Sequence, residues 1–167
     1  MRSYRNLFIV DAGLDIEQFR LCVVRPTLEY LDKHNASAEN LVLGTALVES
    51  RLRYLKQLND GPARGVCQME PNTLDDIYEN YLAYRPELRQ RADALRDARP
   101  TTNADELIYN LAYAVAMCRI HYLRVPVSLP QYDDALGLAC YWKSHYNTGL
   151  GAGTVEHALP YFQQVAE

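Results

Sequence analysis

Glu49 is the residue whose type and setting in this chain could do chemistry, and it is the candidate catalytic residue. Glu49 closes the apolar stretch LVLGTALV at 41–48 and is followed directly by Ser50. At about 100° per residue, Val42, Thr45, Ala46 and Glu49 share one stripe of a helix. Leu41, Val42, Leu43, Ala46, Leu47 and Val48 cover most of the circumference, so the spacing predicts a buried helix. A carboxyl at the end of such a helix either escapes to water as an ordinary surface acid or sits partly desolvated with a raised pKa. The second case is what a general acid needs near neutral pH. Further on, Gly65-Val66-Cys67-Gln68-Met69-Glu70-Pro71 reads as a turn able to fold back beside Glu49.

The positioning elements follow from apolar periodicity and caps. Asp15 is an expected N-cap for a helix running toward His34, which Pro26 should kink or divide. Ser37 is the expected cap of the Glu49 helix, and 51–56 could extend that helix by a turn before a loop at Asn59, Asp60, Gly61 and Pro62. Thr73 with Asp76 resembles a capping box opening a helix through Ile77, Tyr81 and Leu82. The segment 85–99 is charge-dense and predicts a solvated helix, with Glu87 four residues ahead of Arg91. Asn103 with Glu106 should open a central helix through Leu107, Leu111, Val115, Cys118 and Tyr122. Pro130 is the expected start of a helix through Leu136, Ala139 and Tyr141. A glycine elbow and Thr154 then precede a last helix to about Val165, with Pro160 inside it. No alternating strand pattern of useful length occurs, so the expected class is all-α.

At 167 residues the chain fits one domain, and its 49% apolar and 23% charged residues are those of an ordinary globular protein. A net charge of −4 without a basic patch argues against a nucleic-acid partner. Tyrosine is over-used, with 13 Tyr against 3 Phe and 1 Trp, and amphipathic phenols suit either a core rim or a half-wet sugar groove. No stretch matches a signal-peptide core or a membrane span. Cys22, Cys67, Cys118 and Cys140 form no close pair and read as reduced, mostly buried thiols. His34, His121, His145 and His157 are scattered singly, so neither a metal site nor any other cofactor is expected.

Glu49-Ser50, then Gly65 to Thr73 as GVCQMEPNT, then Tyr146-Asn147-Thr148-Gly149 stand in an order that resembles the soluble lytic transglycosylases and goose-type lysozymes. The resemblance spans roughly residues 37–160. Residues 1–36 then read as an N-terminal helical extension, 85–100 as a charged helical insertion and 161–167 as a C-terminal tail. It implies a lysozyme-like fold with a cleft beside the Glu49 helix, cleaving the β-1,4 bond between N-acetylmuramic acid and N-acetylglucosamine. Glu49 would correspond to the acid and base, and Ser50 to a supporting hydrogen-bonding neighbour. Gln68 and Met69 would line the cleft, Tyr146 would approach the acid, and Asn147 would be its structural partner. Glu70 stands where the family usually has an apolar residue, and Pro62 where a glycine is common.

A hydrolytic glycosidase generally uses two carboxylates, about 5–5.5 Å apart for retention and about 6.5–9.5 Å for inversion. A lytic transglycosylase needs one, because the sugar's own 6-hydroxyl supplies the nucleophile and closes a 1,6-anhydro ring. The expected pKa of Glu49 is raised, with Ser50 and Tyr146 orienting the carboxyl. The competing readings are a hydrolysing muramidase using Glu70 or Asp60 to activate water, and a non-catalytic lysozyme-like module that binds glycan or serves a larger assembly. The expected partner is the peptidoglycan glycan strand. An unexported chain with free thiols and a wall-directed site also suits a phage product, held among other virion proteins or released as a lysin.

Overall fold

In the computed structural model, which describes residues 11–97, 102–148 and 151–167, Asp15 opens the first helix as expected, its side chain accepting from Gln18 N–H at 2.8 Å. Helix α1 (Ile16–Phe19) passes through a π turn (Arg20–Val24) into α2 (Arg25–Tyr30). The π turn answers Pro26: a proline has no N–H for the preceding turn, and Arg25 N–H reaches back to Arg20 O instead. Helix α3 (Ala36–Ser50) is capped by Asn35, which accepts from Ala38 N–H at 2.8 Å, and not by Ser37. Every residue from Ala38 to Leu47 is buried, as the lack of a polar face predicts. The expected extension over 51–56 does not form, because Arg51 and Leu52 both adopt left-handed backbone (φ 54° and 53°) and stop the helix at Ser50.

Helix α4 (Pro71–Asn80) starts earlier than the Thr73 signal, since Pro71 at its first turn already has helical φ and no N–H to satisfy. Leu82 lies beyond it in a 3-10 turn (Leu82–Tyr84). Helix α5 (Pro86–Ala94) is the solvated helix expected, touching the core only through Leu88 and Ala92; residues 98–100 of the charged segment lie outside the described residues. The run from Asn103 to Tyr122 is two helices, not one. Thr102, not Asn103, caps α6 (Asn103–Tyr109), and Asn110 leaves helical backbone (ψ 93°) to cap α7 (Leu111–Leu123) through Tyr113 N–H. Helix α8 (Ala135–Trp142) begins after Asp134, which accepts from Gly137 N–H at 2.9 Å, so Pro130 lies in the loop before it. A second π turn (Lys143–Asn147) follows, and α9 (Val155–Ala166), capped by Thr154, runs through Pro160.

The described chain is mostly helical, and its only β pairing is two isolated bridges. Helix α3 packs against α7, α8 and α9. Gly44 is what lets α9 approach: a Cβ there would lie 2.3 Å from Phe162 Cε1. The N-terminal helices are tied to α3 by ions. Arg20 Nη1 and Arg25 Nη2 each donate to Glu39 Oε1 at 3.0 Å, while Arg25 Nε and His34 Nε2 meet Oε2 at 2.9 and 2.7 Å. Arg20 Nη2 also donates to Val165 O at 2.9 Å, joining the first π turn to α9. Cys67 and Cys118 are buried thiols, whereas Cys22 and Cys140 are exposed, contrary to their apolar neighbourhood in sequence. Among the described residues no helix is long and apolar enough to cross a membrane.

Candidate active site

The Gly-x-x-Gln segment folds into a closed turn through a reciprocal pair of backbone bonds, Arg64 N–H to Met69 O and Met69 N–H to Arg64 O, each 2.9 Å. Gly65 (φ 75°) and Gln68 (φ 48°) make the reversal in left-handed backbone. Gly65 is doubly constrained, because a Cβ would stand 2.4 Å from Leu107 O. Gln68 Nε2 donates back to Gly65 O at 2.9 Å, so its amide nitrogen braces the turn.

Two adjacent carbonyls of this turn are held from opposite parts of the chain. Ser50 Oγ lies 2.7 Å from Val66 O and 3.0 Å from Ala46 O, with one proton to give, and accepts from Leu52 N–H at 3.1 Å. Tyr146 donates its hydroxyl proton to Cys67 O at 2.7 Å. The three sequence motifs therefore meet at Val66 and Cys67. The sequence reading had Ser50 and Tyr146 orient the Glu49 carboxyl; instead their hydroxyls are spent on the carbonyls of the turn.

Glu49 takes its hydrogen bond from Trp142, whose indole Nε1–H donates to Oε1 at 2.9 Å. Among the described residues this is its one hydrogen-bond partner. Burial pushes the carboxyl up from its ordinary 4.5 and the Trp142 bond pulls it partly back, leaving it at about 7. Near neutral pH the group is thus divided between acid and carboxylate.

The Tyr146-Asn147 elbow is stapled by a lysine. Lys143 Nζ donates to Asn147 Oδ1, Thr148 O and Gly151 O at 2.8, 2.7 and 2.9 Å, using all three ammonium protons. Asn147 is accordingly a structural partner within the elbow. Gly149, the last position of that motif, lies outside the described residues.

One cleft of about 880 Å³ is lined by Glu49, Ser50, Gln68, Met69, Glu70, Tyr146 and Asn147 together. Glu70 is exposed on its rim. Asp60, weighed above as a second carboxylate, is exposed on the loop and does not line it. Among the described residues no cluster of three or more His, Cys, Asp or Glu side chains could hold a metal. His121 also lines the cleft, and its Nε2 carries the proton, because it faces the carbonyl of His145 at 2.9 Å. Burial lowers its pKa, and the ring packs edge-on to Tyr146 at 5.0 Å.

Trp142, Lys143 and His121 were not singled out in sequence. A signal existed for the first, the chain's one Trp, placed four positions before Tyr146. His121 carries none, since its partner is a backbone carbonyl 24 positions away that only the fold brings near, and Lys143 carries only its place four positions before Asn147. No protein-family model, curated protein or solved structure matches the chain.

Proposed function

We propose that the protein is a peptidoglycan lytic transglycosylase with Glu49 as its single acid and base. The observation that carries this reading is the Glu49 carboxyl itself, poised at about 7 on the wall of a cleft and oriented by a neutral donor. The order of the three motifs, which meet around that cleft, adds to it.

In the proposed reaction Glu49 gives its proton to the bridging oxygen as the bond from that oxygen to C1 of the N-acetylmuramic acid breaks. The substrate's own acetamido oxygen stabilises the cationic C1. Glu49, now a carboxylate, takes the proton from the 6-hydroxyl while O6 bonds to C1. The 1,6-anhydro ring closes, Glu49 is again protonated, and no water is consumed. An intramolecular nucleophile avoids the entropy of capturing a second molecule. A carboxyl near 7 serves both halves, because neither protonation state is costly to reach.

A hydrolysing muramidase is the second reading, favoured by Glu70, the other carboxylate on the cleft lining. Masses of muropeptides released from purified wall separate the two. Ends lighter by one water support ring closure, and reducing ends support hydrolysis and count against the proposal.

A further inference from the structure

Tyr54 and Leu58 hold apolar surface in water on the wall of the Glu49 cleft, 36% and 59% exposed. The loop carrying them is braced. Gly65 N–H donates to Leu55 O at 2.8 Å, Gln57 N–H to Ala63 O at 3.0 Å, and Ala63 N–H to Gln57 Oε1 at 3.1 Å. Pinned at Leu55 and Gln57, the backbone holds Tyr54 and Leu58 at fixed places, so their exposure is built into the fold. Gln57 and Asn59 line the cleft beside them. A phenol and an isobutyl group flanked by amides match a pyranose ring, whose C–H face is apolar and whose edges carry hydroxyls and an acetamido group. The cleft's volume of about 880 Å³ lies toward the top of the roughly 300–1,000 Å³ common for ligand sites, which suits an extended ligand.

We infer that Tyr54 and Leu58 form an apolar platform for a hexosamine ring of the glycan strand, at a subsite away from the bond being cleaved. The inference rests on the proposed function and makes long strands better substrates than short ones. Among the described residues the Glu49 carboxyl takes its hydrogen bond from Trp142 and not from Tyr54, and Leu58 has no polar group to offer it, so the platform acts through binding.

The test is KM for glycan strands of graded length with the parent, Tyr54→Ala, Tyr54→Phe and Leu58→Ser, each first shown to melt with the parent. Tyr54→Ala should raise KM for long strands about tenfold, with kcat changing less, and Leu58→Ser should act in the same direction. Tyr54→Phe, which keeps the ring, should restore the parent value, and KM for a tetrasaccharide should move less than about twofold in every variant. An unchanged KM for long strands, or an equal rise for short ones, overturns the platform and leaves the proposed reaction standing. If the parent cleaves no glycan, strand binding is read by calorimetry instead. Binding weakened about tenfold by Tyr54→Ala then keeps the platform while the reaction fails, and absence of binding overturns both.

Discussion

The indole of Trp142 donates to Glu49 Oε1 across 2.9 Å, joining α8 to the end of α3 over 93 positions of sequence. A neutral N–H can orient a carboxyl without adding the charge that would force it to ionise. Its loss in Trp142→Phe removes a bond favouring the carboxylate, so the Glu49 pKa should move further above 7. Since the proposed reaction begins with a protonated acid, the alkaline limb of its rate profile should shift to higher pH. The rate at the optimum should fall roughly tenfold as the carboxyl loses its orientation. A limb that stays in place would show that Trp142 does not contact the working acid.

Glu49 should also make the fold less stable at high pH. With a native pKa of about 7 against an ordinary 4.5, the unfolded chain loses this proton first as pH rises. The stability that the protonated group contributes is full below the ordinary value and is lost as pH passes through about 7. Glu49→Gln keeps the acceptor for Trp142 and cannot ionise. It should melt with the parent near pH 4 and above it at pH 8, by on the order of 2 kcal/mol or roughly 5 °C. Equal melting temperatures at both pH values would place the carboxyl in water.

Glu39 titrates in the opposite sense. Burial pushes its carboxyl up, but hydrogen bonds from Arg25, His34 and Arg20 outweigh that and bring it down to about 2. The stability it contributes is present above the ordinary 4.5 and lost as pH falls through about 2. Glu39→Gln leaves the Arg25 guanidinium without its ion pair and Arg20 with the exposed Glu17 alone, and should cost about 3 kcal/mol at pH 7. Urea midpoints should show that cost, and the gap to the parent should narrow as pH approaches 2. A gap independent of pH would mean that lost packing alone explains the variant.

Ser50 and Tyr146 hold neighbouring carbonyls of one turn, so removing either hydroxyl should act on structure before chemistry. Ser50→Ala and Tyr146→Phe should each lose about 1–2 kcal/mol of stability and lower activity, without moving the pH limb set by Glu49. Because Val66 and Cys67 are adjacent, the double variant should lose less than the sum. Thermal melts with pH profiles of the three variants check this, and a shifted limb in Tyr146→Phe would put that hydroxyl on the acid.

The helix around Glu49 was legible because an unbroken apolar circumference leaves no solvent face. The meeting of Glu49, Gln68 and Tyr146 at one cleft was legible only as an ordered set of motifs. What each hydroxyl binds was not legible, since Ser50 and Tyr146 satisfy backbone carbonyls, which every residue carries and no side chain announces. Helix starts were misplaced for a similar reason. Asn35 and Thr102 cap as well as Ser37 and Asn103 could, and tertiary packing chose between neighbours of near-equal propensity. The break at Asn110 hid inside a continuous apolar run, because Asn110 ends α6 and caps α7 at a single position. The solvated character of the charge-dense α5 was readable, though the helix stops at Ala94 and Arg91 reaches across to Tyr30 O, a partner that the charge pattern does not announce.

In the proposed reaction Glu49 delivers the proton that opens the glycan. Turbidity loss of purified peptidoglycan, followed at neutral pH with the parent and Glu49→Gln side by side, reads that step. The parent should clear the wall and the variant should be slower by at least about a thousandfold, with its fold intact by thermal melt. Clearance by Glu49→Gln at the parental rate would rule Glu49 out as the acid.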